Sequence, residues 1–270
     1  MIVNKLNIFS QNVCKNALIV NSILEMHNHF DIILIQEPSW SIIWSILSSA
    51  SSNGEVLVGS PHHSNWLSFA RPSSSQSDYL RVLAYINIHL SSLQFSLHRD
   101  IINYRDIILI SFFSNNVCFF IMNIYSDALH SALKYLKDTE VNINNLILII
   151  GDFNIRDSLW DPLFPHHFSS SHDLFILADL FNLDLSTPTD SIPTRYSNNP
   201  GESNLVINLM FLCSRSSELN CYSIHPSWRL TSDYALLTVT IPIKEEHVMT
   251  SKLSLSKDSK EEEKFIKEVT

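Results

Sequence analysis

The stretch "LILIIGDFNIRDSLWDP", residues 146–162, begins with five apolar residues and continues into Gly151, Asp152 and Asn154. A continuous apolar run of this length that ends at a glycine is typical of a strand buried on both faces. The strand therefore ends in a carboxylate and a carboxamide two residues apart. A single polar residue at a strand end is usually a turn former or a helix cap. A functional role is therefore indicated only if other strands also end in polar residues.

Several other apolar runs carry a polar residue at one end. Asn12 follows "LNIFSQ", Glu37 follows "DIILIQ", Tyr125 follows "FFIMNI", and Asp233 precedes "YALLTV". If these strands belong to packed sheets, their ends can face one mouth that holds Glu37, Asp152 and Asp233 together. Close carboxylates that stay charged at neutral pH require a cation. Oxygen ligands with few histidines nearby favour Mg²⁺ or Mn²⁺ over zinc.

Short apolar runs alternate along the chain with helical patterns, which predicts an α/β or α+β fold. One helical pattern, at residues 127–138, places Leu129, Ala132, Leu133 and Leu136 on one face. Serine-rich segments at 48–52, 73–75 and 169–171 predict loops, and Ser170 or Ser171 is a candidate N-cap for the helix that follows.

The composition limits the number of domains and the kinds of partner. With 270 residues, of which 45% are hydrophobic, the chain can form one large core. We expect one domain at residues 1–243 and a charged tail at 244–270, the possible start of a linker helix. The net charge of −9 gives no support for tight, non-specific binding to a phosphate backbone, although a local basic groove remains compatible with it.

Features of the chain indicate a soluble intracellular protein that does not contact a membrane. The N-terminus lacks the apolar segment of a signal peptide, and no apolar run approaches the roughly 20 residues that span a bilayer. The four cysteines have no C-x-x-C spacing, which predicts buried free thiols in a reducing compartment. The sequence does not distinguish the nucleus from the cytoplasm, and we expect a monomer.

Five short words, in this order, carry a resemblance: QN at residue 12, QE at 37, N-x-Y at 125, GDFN at 151–154 and SD at 232–233. Together they resemble the endonuclease/exonuclease/phosphatase superfamily over nearly all of residues 5–243. The longer words "GDFNIRDSLWDPLFPHH", "PTRYSNNP", "INLMFL" and "HPSWRLTSDY" are similar to the endonuclease domain of fungal non-LTR retrotransposon-type proteins. The resemblance implies a four-layer α/β sandwich, in which two mostly antiparallel sheets pack face to face with helices outside.

The resemblance also implies a DNA endonuclease, a phosphodiesterase that depends on Mg²⁺ or Mn²⁺. Glu37 would be the main metal ligand, with Asn12 beside it and Asp233 supporting the metal. In full-length relatives a reverse transcriptase domain follows the endonuclease, so we expect an isolated or truncated domain of retroelement origin.

Further roles are implied residue by residue. Asp152 would orient or deprotonate the attacking water, Asn154 would donate its amide to a phosphate oxygen, and Tyr125 would offer its phenol to the phosphate or the leaving group. Phosphate or nucleic-acid contacts are implied for Thr194, Arg195 and Ser232.

Two positions depart from the family pattern. Relatives carry an aspartate where this chain has Asn208 and a histidine where it has Tyr234. The family aspartate fixes the tautomer and charge of the histidine, which then meets the phosphate. A phenol has a pKa near 10 and brings no positive charge at neutral pH. General acid–base help is worth about 10² to 10⁴ in rate, so we expect impaired catalysis.

Three functions stay open at this point: an endonuclease with a degenerate site, a non-catalytic pseudo-nuclease that binds nucleic acid or phosphate, and a small-molecule phosphatase of the same superfamily. Trp40 is a candidate for stacking on a base near the site. The word "PHH" occurs at 61–63 and 165–167. No further pair of ligands at zinc-site spacing is evident, so these are expected to be loop histidines near a phosphate groove.

Overall fold

A computed structural model describes residues 4–47, 56–71, 79–114, 116–139, 141–167, 169–187, 192–199, 201–213, 221–228 and 232–243. Three α-helices are present in this part of the chain, namely α1 (Ala17–Leu24), α2 (Ser131–Asp138) and α3 (Ser169–Leu180). The strands are β1 (Lys5–Asn12), β2 (Ile32–Gln36), β3 (Trp44–Leu47), β4 (Val56–Gly59), β5 (Trp66–Phe69), β6 (Val82–Asn87), β7 (Ser96–Leu97), β8 (Ile107–Ser114), β9 (Val117–Tyr125), β10 (Leu146–Asp152), β11 (Leu183–Leu185), β12 (Asn208–Cys213), β13 (Cys221–His225) and β14 (Leu236–Pro242).

Twelve of these strands form two six-stranded sheets, and β3 pairs with β4 in a separate ribbon. The first sheet has the order β13-β14-β1-β2-β6-β5, and the second has the order β11-β12-β10-β9-β8-β7. The pairs β1–β2 and β9–β10 are parallel, and the remaining pairs within the two sheets are antiparallel.

Apolar side chains fill the space between the two sheets and the space under each helical layer. Ile8 and Leu34 of the first sheet pack with Leu148 and Met210 of the second in one buried cluster. A second cluster packs α2 and α3 against the outer face of the second sheet, and a third packs α1 against the first sheet. This arrangement is a four-layer α/β sandwich, and it confirms the fold predicted from the sequence.

A buried polar contact fixes the two sheets against each other. Gln36 Nε2 donates to Asn123 Oδ1 at 2.6 Å, and Asn123 Nδ2 donates to the carbonyl oxygens of Ile35 and Leu83. Both side chains are almost completely buried. Because a buried amide needs specific hydrogen-bond partners, this contact favours one alignment of the two sheets. It lies next to the strand ends that form the candidate site.

Some expectations from the sequence are corrected by the structure. Leu129 is 70% exposed, because α2 begins only at Ser131. Residues 169–171 form the first turn of α3 and not a loop, while the serine-rich segments 48–52 and 73–75 lie outside the described residues. Cys14 is exposed, and Cys118 and Cys213 are only partly buried.

Residues 244–270, predicted as a charged tail, lie outside the described part of the chain. Within the described part, no helix has the length and apolar character that crossing a membrane requires.

Candidate functional site

The parallel pairs bring polar strand ends to one edge of the sandwich. In the second sheet, Asp152 lies in register with Tyr125 on one neighbouring strand and with Asn208 on the other. In the first sheet, Asn12 ends β1 beside the end of β2, one residue before Glu37. Residues directly opposite each other in a sheet share a face, so Tyr125, Asp152 and Asn208 form a row.

Asn12 connects the two sheets at this edge. Its Nδ2 donates to Asp152 Oδ2 at 2.7 Å and to Glu37 Oε2 at 3.1 Å, while its Oδ1 accepts from the Cys14 N–H at 2.8 Å. These partners fix the orientation of the amide, because carboxylates only accept and an N–H only donates. Glu37 and Asp152 are therefore held within a few ångströms of each other, whereas the sequence predicted that Asp233 would join them.

Asp152 is fully buried, and this burial raises the pKa of its carboxyl to about 7. The Asn12 hydrogen bond lowers the pKa, and the charge of Glu37 raises it again. A hydrogen bond from the Asn154 N–H to Asp152 Oδ1, at 3.1 Å, also favours the charged form. The carboxyl therefore changes protonation near neutral pH, which suits a proton acceptor.

Local backbone geometry positions both carboxylates. Glu37 has a φ of 47°, in the left-handed region that a residue with a Cβ rarely adopts. Its N–H donates to the Arg81 carbonyl at 2.8 Å, and its carbonyl accepts from Lys15 at 2.7 Å. Before Asp152, a Cβ on Gly151 would lie 1.9 Å from the Ile124 carbonyl oxygen, so only glycine fits there.

Tyr125 lies between the carboxylates and Arg81. Burial raises the pKa of its phenol, and the charges of Glu37 and Asp152, with a hydrogen bond to Glu37, add to that effect. The Arg81 guanidinium is 4.9 Å from the centre of the ring and also forms a bidentate pair with the buried Asp106, both contacts at 2.6 Å. Tyr125 is thus a neutral hydrogen-bond donor in a fixed position.

Asn154, predicted to donate to a phosphate, has one amide hydrogen in use. Its Nδ2 donates to the Ser126 carbonyl at 2.7 Å, and its backbone is left-handed with a φ of 51°. An amide carries two N–H groups, so the second N–H takes no part in the Ser126 contact.

Thr194 and Ser232 lie at this edge, but their hydroxyl groups bind the backbone. Thr194 is completely buried, and its Oγ1 accepts from the N–H groups of Ile207 and Asn208, both at 2.9 Å. Ser232 Oγ donates to the Asn12 carbonyl at 2.9 Å and accepts from the Tyr234 N–H at 3.1 Å. In this conformation, both hydroxyl groups position neighbouring strands.

Arg195 lies over Tyr234, one of the two positions expected from the sequence to depart from the family pattern. Its guanidinium carbon is 5.9 Å from the centre of the Tyr234 ring, and the two residues form an isolated antiparallel bridge. Burial raises the pKa of the Tyr234 phenol, and the charge of Asp152 adds to this effect while Arg195 opposes it. The Nε atom of Arg195 is buried, and within the described part of the chain it has no hydrogen-bond partner.

Asn208 is 1% exposed, and its Oδ1 atom has no hydrogen-bond partner among the residues that the structure describes. A buried carbonyl oxygen without a donor costs about 1–3 kcal/mol, so this position is poorly satisfied. The sequence identified Asn208 as a departure from the family pattern, but it did not reveal the missing donor.

Asp233 stands apart from the other two carboxylates. Its Oδ1 accepts a hydrogen bond from Asn198, and among the described residues it does not join Glu37 and Asp152 in a group with ligand atoms within 4.8 Å. Its charge still reaches the site: after partial burial, the charges of Glu37 and Asp233 raise the pKa of the Cys14 thiol.

Two residues near the site were not predicted. Arg81, whose guanidinium contacts the Tyr125 ring, directly precedes β6. Its sequence context contains no pattern that indicates a functional residue. Tyr79 stacks on Trp40 with ring centres 4.1 Å apart and an angle of 14°. The sequence indicated Trp40 as a candidate because it lies close to Glu37 in the chain, but no sequence pattern indicated Tyr79.

Glu37 and Asp152 fit a divalent cation such as Mg²⁺. Both offer carboxylate oxygens, and the Glu37 side chain is 16% exposed, so an ion can reach it from solvent. Asn12 presents its N–H groups to the carboxylates, and its oxygen already accepts a hydrogen bond. In this orientation Asn12 links the two carboxylates through its N–H groups, and its oxygen is not placed as a ligand for a cation.

Comparisons with known proteins identify the fold. No protein-family model and no curated protein matches the sequence. The structure is similar to the endonuclease domain of TRAS1, a telomere-specific non-LTR retrotransposon, with 14% identity, a TM-score of 0.60 and coverage of 88% of this chain and 98% of that one. It is also similar to the AP endonuclease LMAP from Leishmania major, with 11% identity, a TM-score of 0.63 and coverage of 89% of each chain.

A third similar structure is the 3' phosphatase NExo from Neisseria bound to a product DNA hairpin. It shares 14% identity, with a TM-score of 0.55 and coverage of 87% of this chain and 98% of that one. All three belong to the endonuclease/exonuclease/phosphatase superfamily, so the resemblance noted in the sequence is confirmed at the level of the fold.

Proposed function

We propose that this chain, which has the fold of the endonuclease/exonuclease/phosphatase superfamily, is a Mg²⁺-dependent phosphodiesterase of the DNA endonuclease type with impaired turnover. The main support is the Asn12 amide, whose Nδ2 donates to Glu37 and Asp152 and joins the two sheets at one edge. A cation held there by Glu37 would polarise a phosphate oxygen and stabilise the charge on the leaving oxygen.

The remaining residues have roles that follow from their own chemistry. Asp152, with its pKa raised to about 7 by burial, would accept the proton of the attacking water. Tyr125 stays protonated, and its single O–H, which now bonds to Glu37, would turn to the phosphate once Glu37 holds the cation. Arg195 has a buried Nε without a partner, which supports its predicted contact with the phosphate.

The impaired step is protonation of the leaving oxygen. Cleavage of a phosphodiester breaks the bond between phosphorus and the leaving oxygen. The cation would lower the charge on this oxygen, but the oxygen must still gain a proton to form the product alcohol. Tyr234 offers only a neutral phenol, whose pKa is raised further by burial. Asn208 cannot hold a cation, since it carries no charge. The site therefore favours binding and water activation over completion of the reaction.

An aromatic surface beside the site favours nucleic acid as the substrate. Trp40 and Tyr79 are 44% and 49% exposed, and their rings stack on each other. Lys15 lies 5.4 Å from the centre of the Trp40 ring and 3.9 Å from Glu37 Oε1, so this surface adjoins the carboxylates. Exposed aromatic rings beside a cation are suited to an unpaired base and its phosphate.

Two alternatives remain. A non-catalytic module that binds nucleic acid or phosphate is favoured by the missing donor at Asn208. A small-molecule phosphatase would share phosphatase chemistry with the similar 3' phosphatase, but that protein is bound to a product DNA hairpin and therefore does not favour a small substrate. The aromatic surface argues against a substrate that consists only of a small phosphate ester.

A plasmid-nicking assay in Mg²⁺ separates these functions. We expect slow nicking by the unmodified chain and fast nicking by the Asn208→Asp, Tyr234→His double variant. No nicking by either protein, with DNA binding retained, would support the non-catalytic module. Release of inorganic phosphate from a soluble monoester, without nicking, would support the phosphatase. Fast nicking by the unmodified chain would contradict the impaired site.

A further inference from the structure

We propose that Glu25, His27 and His63 form a second metal site that takes a transition-metal ion, with Zn²⁺ as the natural occupant. Each of the three side chains offers one ligand atom, and these atoms all lie within 4.8 Å of one another. Two imidazoles and one carboxylate form a donor set that suits zinc and not Mg²⁺. The site is independent of the proposed function.

The fold places the three ligands by fixing the backbone around them. Glu25 and His27 lie in the turns that follow α1, and the His27 carbonyl accepts from Asn87 Nδ2 at 2.8 Å. Trp66 ties the other segment to this turn, because its Nε1 donates to the Leu24 carbonyl at 2.7 Å and its N–H donates to the His63 carbonyl at 3.0 Å. The ligands therefore come from two segments that are held together without an ion.

The three side chains have few competing partners. His27 Nδ1 is buried and has no hydrogen-bond partner among the described residues. His63 Nε2 lies 3.8 Å from Glu25 Oε1, which is longer than a hydrogen bond. Two ligands that each lie about 2.1 Å from a tetrahedral zinc ion are roughly 3.4 Å apart, so a small movement of these side chains would complete the geometry.

The ring proton of His63 must move when a metal binds. The Asn65 N–H donates to His63 Nδ1 at 3.2 Å, so the neutral ring carries its proton on Nε2, the atom that faces Glu25. Coordination through Nε2 requires the neutral ring to carry its proton on Nδ1 instead, and this change of tautomer breaks the Asn65 contact, because two N–H groups do not bond to each other. The ion gains a ligand, and no redox change is involved.

The position separates this site from the carboxylates of the candidate active site. His27 lies near the beginning of β2, since Asn87, which binds it, ends the antiparallel neighbour β6, whereas Glu37 follows the opposite end of β2. A strand of this length spans roughly 15 Å. An ion there would join the end of α1 to the segment before β5 and would stabilise the fold through binding.

The sequence offers a matched control within the "PHH" word. His62 is exposed and outside the cluster, whereas His63 is partly buried and within it. The full chain would be titrated with Zn²⁺ while its thermal midpoint is followed, and with Co²⁺ while the visible absorption of the bound ion is followed. We expect His63→Ala to lose the Co²⁺ band and the thermal shift, and His62→Ala to keep both.

Further variants keep the proposal falsifiable if His63→Ala folds poorly. The Glu25 side chain is 75% exposed, so Glu25→Gln should fold normally and weaken Co²⁺ binding at least about tenfold. Glu37→Gln should leave Zn²⁺ binding unchanged, so failure of this site and failure of the proposed active site are distinguishable. Equal losses in His62→Ala and His63→Ala, or no stoichiometric binding by the unmodified chain, would overturn the proposal.

Discussion

Two neighbouring regions at the edge of the sandwich differ in how completely their polar groups are paired. The carboxylate half consists of Asn12, Glu37, Tyr125 and Asp152, and the Asn208 half consists of Thr194, Arg195, Asn208 and Tyr234. Each half contains one buried asparagine. Asn12 uses both its donor and its acceptor, whereas the Oδ1 of Asn208 and the Nε of Arg195 are buried without a partner in the part of the chain that the structure describes.

From this difference we infer that the proposed chemistry depends mainly on the carboxylate half. Groups in the carboxylate half hold one another at fixed distances, which is the condition for binding a cation and activating water. In the Asn208 half, Thr194 holds the backbone through hydrogen bonds from two N–H groups. The side chains of Asn208 and Tyr234, however, do not form a charged pair. The backbone of the Asn208 half is thus held in place, whereas two of its buried polar side-chain atoms have no partner among the described residues.

The largest expected effect is a gain of activity from repairing the Asn208 half. The Asn208→Asp, Tyr234→His double variant should nick plasmid DNA in Mg²⁺ about 10² to 10⁴ times faster than the unmodified chain. Each single variant should gain much less, because a histidine without its aspartate lacks orientation and an aspartate without its histidine is a buried, unpaired charge. Initial nicking rates for the four proteins would measure this non-additivity.

The control for this gain is the same double variant carrying Glu37→Gln, which should return to the background rate. If either single variant matched the double variant, the two residues would not act as a pair, and the comparison between the halves would fail.

A second prediction applies the same substitution to both buried asparagines. Without Mg²⁺, Asn12→Ala should lower the free energy of unfolding by about 3 kcal/mol, because it removes a donor from two carboxylates and leaves Asp152 buried without it. Asn208→Ala deletes a side chain of the same size, but its oxygen has no partner to lose, so its cost should be at least about 1 kcal/mol smaller. Urea unfolding of the two variants measures the difference, and equal costs would contradict the contrast.

The smallest predicted effect concerns Asp127, which supports the carboxylate half through Arg81. Asp127 lies beside Arg81, which holds the Tyr125 ring. Burial alone would raise the pKa of Asp127, but hydrogen bonds from the N–H and O–H of Ser131, together with Arg81, lower it below its usual value.

A lowered folded-state pKa contributes stability above the unfolded-state pKa near 3.9, and this contribution is lost as the pH falls through the folded-state pKa. Asp127→Asn should therefore cost about 0.5–1 kcal/mol at pH 7 and almost nothing in strong acid. Urea unfolding across this pH range measures the effect, with the exposed Asp138→Asn as a matched control. A cost that did not change with pH would show that the charge of Asp127 is unimportant.

Much of the fold and of the carboxylate half could be predicted from the sequence. Apolar runs marked the strands, and polar residues at their ends marked the edge where Glu37 and Asp152 meet. The resemblance of the short words supplied the sandwich and the departures at Asn208 and Tyr234.

The rest depended on contacts that no local pattern contains. The orientation of Asn12 follows from the Cys14 N–H and from a carboxylate 140 residues away. The buried Gln36–Asn123 contact and the meeting of His27 with His63 likewise join distant segments. Leu129 was misplaced because a helical spacing does not show which turn begins the helix.

Calorimetric titration of Mg²⁺ into the full chain tests the central claim most directly. The unmodified protein and the Glu25→Gln control should bind one Mg²⁺ ion, while Glu37→Gln should bind it at least about tenfold more weakly, because one of the two carboxylates has lost its charge. Equal Mg²⁺ binding by the unmodified protein and Glu37→Gln, or no binding by any of the three proteins, would contradict a divalent cation site at the carboxylate half.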